Sequence, residues 1–399
     1  MISFKEAFQK VLDNTQDYGN EYVALDQSNN RILAEIILAD RDFPPFDRAT
    51  KDGIAISFDG VISSDHTFKA SGIAPAGSPQ QVLQNNSECI EVMTGAMVPK
   101  NADTVVMYEH VSQDNGTFLL LKPVTKGQNI HYQGSDVAKG EELLKPCIQI
   151  TASEIGVLAT VGKSEVLVKK LPKIAVIATG NELVEIDEKP LPYQIRKSNS
   201  LTLKGLLIEE KITADLYHLV DEPDLLKEKV KTLIDDYDIL LLSGGVSKGK
   251  FDFLPEVFDT LGVEKIFHKV LQRPGKPFWF GKHRSSRTTI FSFPGNPVST
   301  FANYHIYFKP WLNKTLGLST SKFGVFLNEP ITNKTDLTLF IGVTISINKG
   351  ELFAKTLTTT GSGDLVGLSK IDGFIQLDPN QTVGSDNELV SFTPTRRMI

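Results

Sequence analysis

The spacing of apolar side chains changes character several times along the chain, and each change marks a different kind of element. Phe4, Ala7, Phe8 and Val11 recur at intervals of three and four, which predicts an amphipathic helix over residues 3–12. Residues 22–25 and 31–37 read as short extended or helical pieces that stop at the Pro44-Pro45 break. Short β-type runs follow at 54–58, 89–93, 104–108 and 117–121, separated by Gly, Pro and Asn turns, and predict a small β-rich insert. Residues 151–161 return to helical spacing, with Thr151 as N-cap and Glu154 three positions later in a capping box. Val166 to Val168 then begin another strand.

From 172 to about 318 the pattern alternates. Strands over 173–179, 214–219, 238–242 and 289–293 are interleaved with helices over 199–210 and 224–234 and a further helix after Pro297. Such alternation predicts a parallel sheet, with ligands bound outside the carboxyl ends of its strands. Residues 323–399 show alternating runs such as 337–347 and many turns, predicting a small β-barrel or sandwich without a helix. A chain of 399 residues exceeds what one hydrophobic core holds, so these shifts are read as domains. The expected plan is an elongated α+β domain from 1–44 and 135–169, a β-rich insert over 45–134, an α/β domain over 170–318 and a C-terminal β-barrel over 319–399.

Composition narrows the partners. A formal charge of −6 argues against a general nucleic-acid binder, so an anionic ligand has to meet a local cationic site. The longest apolar runs, 174–178 and 239–242, fall far short of the roughly 20 residues of a membrane span. The first ten residues, with Lys5, Glu6 and Lys10, lack a signal-peptide core, so a soluble cytoplasmic protein is expected. Cys89 and Cys147 have no metal-type spacing and read as two buried thiols.

The most unusual sequence sits at predicted strand ends. Thr179-Gly180-Asn181-Glu182, Ser243-Gly244-Gly245-Val246-Ser247 and Pro294-Gly295-Asn296-Pro297 each follow a strand. Glycine lets backbone N–H groups approach a phosphate, and a following helix N-terminus favours negative charge; the same residues also make ordinary tight turns. Glu182, Asp221 and Asp252 lie among these loops. Carboxylates beside a phosphate repel it unless a hard cation bridges them, which points to Mg²⁺. Cations gather in His268-Lys269-Val270-Leu271-Gln272-Arg273-Pro274-Gly275-Lys276. Alternation predicts Lys269, Leu271 and Arg273 on one face of a strand, with the Pro-Gly turn bringing Lys276 nearby, an arrangement suited to an oxyanion.

With these loops belong Pro45-Phe46-Asp47-Arg48-Ala49-Thr50-Lys51-Asp52-Gly53, Met93-Thr94-Gly95-Ala96 and Gly127-Gln128-Asn129-Ile130. Taken in order with Arg273 to Pro277 and Pro294 to Ser299, they resemble the motif set of the MoeA family, which includes the gephyrin E domain. The resemblance runs over essentially the whole chain. It implies an elongated homodimer of four-domain subunits, with a molybdopterin-binding α/β domain and an active site partly across the dimer interface. It also implies a divalent-cation-dependent insertion of molybdate into adenylylated molybdopterin with release of AMP. By family position Asp52, Thr94, Asp136, Glu182, Asp221 and Asp252 match functionally important residues. Lys269, Arg273, Lys276, Pro294, Pro297 and Ser362 match the oxyanion and pterin-phosphate surroundings, beside the Gly244, Gly245 and Ser247 loop.

The chain departs from the pattern in one region. Arginine commonly follows Gly127 to Ile130 in the family, whereas here stand His131, Tyr132 and Gln133, and Ser135 replaces the glutamate before Asp136. Arg48 and Lys51 replace the more usual Asn and Met and move positive charge toward the same place.

The implied mechanism places Mg²⁺ on the pyrophosphate, with Asp52, Asp221, Asp252 and Glu182 as candidate ligands, and molybdate among Lys269, Arg273, Lys276 and Ser362. Placement and charge neutralisation then carry the reaction, and no protein nucleophile is needed. Possible protein partners are a molybdopterin adenylyltransferase and the enzymes that accept the finished cofactor. Two rivals stand beside this reading. One is an adenylyltransferase, whose single domain resembles 172–318; formation of AMP-molybdopterin from molybdopterin and ATP would reveal it. The other is a gephyrin-like scaffold, marked by tight peptide binding without pterin binding.

Overall fold

The computed structural model describes residues 1–246, 252–319, 323–358, 361–384 and 388–396. Ser247, expected in the phosphate loop, lies outside the described residues.

The first helix, Phe4–Asp13, is capped by Ser3, whose hydroxyl accepts from the Glu6 N–H at 3.2 Å. Its buried stripe of Phe4, Ala7 and Val11 packs on the aromatic core of the α/β unit and reaches the barrel, with Phe4 5.9 Å from Tyr307 and 5.0 Å from Phe340 between ring centres. The chain then leaves that core. Strand Asn20–Ala24 pairs antiparallel with Glu165–Lys169, and Ile37–Leu38 with Glu142–Leu144. Both enclose a small core of Leu33, Ile37, Ile150, Leu158, Val166 and Val168. The Thr151–Glu154 capping box is present at the start of helix Ala152–Thr160. Between these halves lies a six-stranded sheet in the order Thr104–Met107, Gly53–Ile56, Glu88–Val92, Thr67–Ala74, Thr117–Leu120, Val111–Asp114. Gly53 is dictated by packing, since a Cβ there would fall 2.0 Å from the Val106 carbonyl oxygen.

The α/β unit is a six-stranded sheet in the order Ala214–Leu219, Ile174–Thr179, Ile239–Ser243, Thr289–Phe293, Trp279–His283, Val263–His268. The first four strands are parallel; the inner three are buried on both faces, as their largely apolar runs require, while the edge strand Ala214–Leu219 leaves Asp215, Leu216 and Tyr217 exposed. The last two are antiparallel, an edge that the sequence pattern does not announce. The predicted single face of Lys269, Leu271 and Arg273 is corrected here. Strand Val263–His268 ends before Lys269, which turns the chain with φ +72°, and Val270–Arg273 continues in a different sheet.

That second sheet contains the C-terminal barrel. Strands Thr338–Asn348, Glu351–Thr356, Phe323–Leu327, Val390–Pro394 and Gly373–Leu377 close on themselves around Val325, Val343, Ile375, Leu377 and Val390. Val270–Arg273 adds to it in parallel, with Arg273 opposite Leu339. The expectation of no helix in this segment is also corrected: Leu365–Leu368 forms one turn, capped by Asp364, whose side chain accepts from the Gly367 N–H at 2.8 Å. So is the expectation of two buried thiols. Cys89 is buried, which pushes its thiol up to about 12, but Cys147 is exposed on a turn. Among the described residues no helix is long and apolar enough to cross a membrane.

Candidate active site

The carboxyl ends of the parallel strands and one side of the barrel enclose a cleft of about 920 Å³. Glu182, Asp221, Gly244, Gly245, Asp252, Arg273, Lys276, Pro294, Pro297 and Ser362 all line it. Sequence positions up to 180 apart, from Glu182 to Ser362, thus meet in one place because the sheet order and the barrel bring them there.

Glycine is required at two of the loops. A Cβ on Gly180, at φ +138°, would fall 2.4 Å from a Glu182 carboxylate oxygen, so the glycine makes room for that side chain. At Gly244, φ +102°, a Cβ would strike the Thr179 carbonyl oxygen at 2.8 Å, so the ends of strands Ile174–Thr179 and Ile239–Ser243 approach too closely for any other residue. Asn199 ties the loops together, donating from Nδ2 to Ser243 Oγ at 2.8 Å and to the Gly295 carbonyl at 2.7 Å. Asn296 donates to Ser362 Oγ at 2.8 Å, and the Val298 N–H donates to the Ser362 carbonyl at 3.1 Å. The barrel loop is therefore pinned to the start of helix Pro297–Asn303. Asn199 and Asn296 were not singled out by sequence reasoning, because an Asn at a helix start or in a Pro-Gly-Asn-Pro turn is accounted for locally.

Charge is unevenly matched across the cleft. Arg273 and Lys276 are exposed, and among the described residues no ion pair holds either of them. In the same cleft the Asp221 carboxyl is raised above its ordinary value, first by burial and then by Glu182, with Asp252 adding to the effect. Among the described residues no three His, Cys, Asp or Glu side chains form a ready-made metal cage. The repulsion at Asp221 is nevertheless what a divalent cation would relieve, and an all-oxygen donor set that leaves room for water suits Mg²⁺.

A raised carboxyl has a definite consequence for stability. Its charged form costs the folded state nothing below the unfolded value, and the full cost applies above the folded one. At pH 7 and in chelator, Asp221→Asn is expected to raise the thermal midpoint. Saturating Mg²⁺, about 100 times its Kd, should stabilise the wild type by roughly 2.7 kcal/mol and the variant by clearly less. A lower midpoint for the variant in chelator, or equal Mg²⁺ shifts, would contradict this.

The remaining predicted residues lie elsewhere in the chain. Lys269 does not line the cleft; its N–H is bonded to the Phe278 carbonyl at 2.8 Å. Asp52, Thr94 and Asp136 do not line it either. Asp52 Oδ1 accepts from both the Thr94 N–H at 2.6 Å and the Thr94 hydroxyl at 2.7 Å, which holds the carboxyl below its usual value. Asp136 Oδ1 lies 2.8 Å from His131 Nε2, and Arg48 reaches His131 Nδ1 at 3.0 Å from across the pair Arg48–Ala49 and Ile130–His131. A guanidinium has no acceptor, so Nδ1 accepts and the ring proton sits on Nε2, donating to Asp136. Arg48 thus brings its guanidinium against His131, the residue that follows Ile130.

A glycine-lined cleft of this size at the ends of a parallel sheet, lined by carboxylates and by two cations that no ion pair holds among the described residues, suits a binder of a phosphorylated small molecule. Comparison with known proteins makes the class specific. Residues 2–162 match the MoeA N-terminal region (domain I and II), and residues 175–314 match a probable molybdopterin binding domain. The chain is 35% identical over 396 residues to a molybdopterin molybdenumtransferase of Synechocystis, covering 98% of this chain and 99% of the relative. It is 32% identical to the enzyme of that name from Staphylococcus epidermidis, covering 96% and 93%. Two crystal structures of the MoeA protein of Pyrococcus horikoshii superpose with TM-scores of 0.84 and 0.83 at 28% identity, over 99% or more of each chain. The chain belongs to the molybdopterin molybdenumtransferase family, and it is a transferase of molybdenum-cofactor synthesis.

Proposed function

We propose that the cleft binds adenylylated molybdopterin and molybdate together, and that insertion of molybdenum accompanies cleavage of the phosphoanhydride and release of AMP. The observation that carries this reading is that Arg273 and Lys276, which no ion pair holds among the described residues, line the same cleft as Glu182, Asp221 and Asp252. The cations and Ser362 hold the molybdate dianion, while Gly244, Gly245 and the loop Pro294 to Pro297 receive the phosphates. Glu182, Asp221 and Asp252 would hold Mg²⁺, which supplies charge neutralisation on the pyrophosphate. The side chains themselves bind and orient, and Asn199 and Asn296 keep the loops in register.

Asp52, Thr94 and Asp136 enter the same reading through a homodimer in which each site is completed by a second copy. In a two-fold dimer each shared site takes one group from each subunit. The test uses two variants that each lose activity, Asp52→Asn and Glu182→Gln. Mixed with subunit exchange, half of the dimers are heterodimers that keep one intact site, so activity is expected to return to roughly a quarter of wild type. No recovery in verified heterodimers would place both residues in one subunit's site.

A further inference from the structure

Behind Arg273 and Lys276 lies a network of polar side chains that the reading above leaves unused. Gln272, Asn303 and Tyr307 are each 0% exposed. Gln272 Nε2 donates to Asn303 Oδ1 at 2.9 Å and to the Pro274 carbonyl at 2.9 Å. The Tyr307 hydroxyl donates to Gln272 Oε1, and Asn303 Nδ2 donates to the Gly275 carbonyl at 3.4 Å. The loop rests directly on this amide: a Cβ on Gly275, at φ +85°, would fall 2.3 Å from Asn303 Oδ1.

The surroundings are aromatic, with Phe4, Phe8 and Phe278 rings 5.9, 6.4 and 4.8 Å from the Tyr307 ring. Apolar side chains of the same shape would fill this space with little loss of stability, so the network does not earn its place by stability alone. What it adds is a fixed position for two backbone carbonyls, those of Pro274 and Gly275, which lie between the two cations. The helix that supplies Asn303 and Tyr307 begins at Pro297 in the cleft and widens to a π-helix over Tyr304–Phe308, a distortion found mostly at functional sites.

We propose that Gln272, Asn303 and Tyr307 are positioning residues that set the spacing of Arg273 and Lys276 for a tetrahedral oxyanion of molybdate type. The proposal rests on the assignment of those cations to the oxyanion. The test compares Tyr307→Phe, the apolar triple variant Gln272→Met/Asn303→Leu/Tyr307→Phe, and Arg273→Ala. Titrating molybdate against AMP release, the triple variant should need about tenfold more molybdate, the scale of one disturbed hydrogen bond to a charged group. Tyr307→Phe should shift the midpoint in the same direction by less, and half-saturation by adenylylated molybdopterin should stay at the wild-type value in both. A purely structural role would lower the thermal midpoint and kcat without a selective molybdate effect, and that result overturns the proposal. If the triple variant does not fold, Tyr307→Phe alone decides. If Arg273→Ala leaves the molybdate midpoint unchanged, the oxyanion assignment fails. Amide exchange over 272–277 then judges the clamp by itself: faster exchange in Tyr307→Phe supports positioning, and unchanged exchange overturns it.

Discussion

Asp52→Asn is expected to lower AMP release by about 100-fold or more, the scale of roughly 2.7–4 kcal/mol seen when one preorganised polar contact to a reacting centre is lost. The substitution is unusually clean. Both donors from Thr94 converge on Oδ1, and an amide oxygen at that position accepts the same two hydrogen bonds. Backbone and turn are therefore retained while the charge disappears. Because those bonds hold the carboxyl below its ordinary value, their stabilisation is complete above the unfolded value and is lost only as pH falls through the folded one. The activity defect should accordingly be constant between about pH 6 and 8, where the wild-type group stays charged. Circular dichroism and a thermal melt establish that the variant folds. A folded variant with wild-type AMP release would remove Asp52 from the reaction.

The second large effect is expected at Arg273. It lies exposed at the end of Val270–Arg273, its backbone paired opposite Leu339 of the barrel, and no ion pair engages it among the described residues. A cation that no ion pair engages among the described residues is available to a ligand. In a chain of net charge −6, holding a dianion depends on such local cations. Arg273→Ala should raise the molybdate concentration for half-maximal AMP release by about 10- to 100-fold, from roughly 1.5–3 kcal/mol for a charge-assisted hydrogen bond. Half-saturation by the adenylylated pterin should change much less. An unchanged molybdate midpoint in a folded variant would take Arg273 out of the oxyanion site.

Much of the architecture was legible in the sequence because its signals are local. The capping box at Thr151 and the doubly buried strands Ile174–Thr179 and Ile239–Ser243 follow from residue order and period alone. The antiparallel edge was not legible. Trp279, Phe280 and Gly281 are all buried, so no alternation marks the strand, and the turn at Lys269 depends on a backbone angle that lysine does not advertise. In the cleft, the glycine-rich strand ends that stand out in the sequence do come together in the fold, since the signal of a tight turn after a strand is also local. The supports behind them were hidden. Gln272 and Tyr307 lie 35 positions apart, and Arg48 and His131 lie 83 apart, so only the folded chain shows that they touch. Asn303 reads in isolation as one polar residue in a helix, and its meaning comes from the Gly275 carbonyl it meets.

The central claim is that this chain couples molybdate to cleavage of adenylylated molybdopterin. The most direct test mixes the purified protein with adenylylated molybdopterin and follows AMP and pterin-bound molybdenum together, with molybdate and Mg²⁺ added separately and in combination. The expected result is AMP release matched by molybdenum in the pterin, rapid only when both are present. AMP release that is indifferent to molybdate and leaves the pterin without metal, or formation of AMP-molybdopterin from ATP and molybdopterin by this protein alone, would contradict the account.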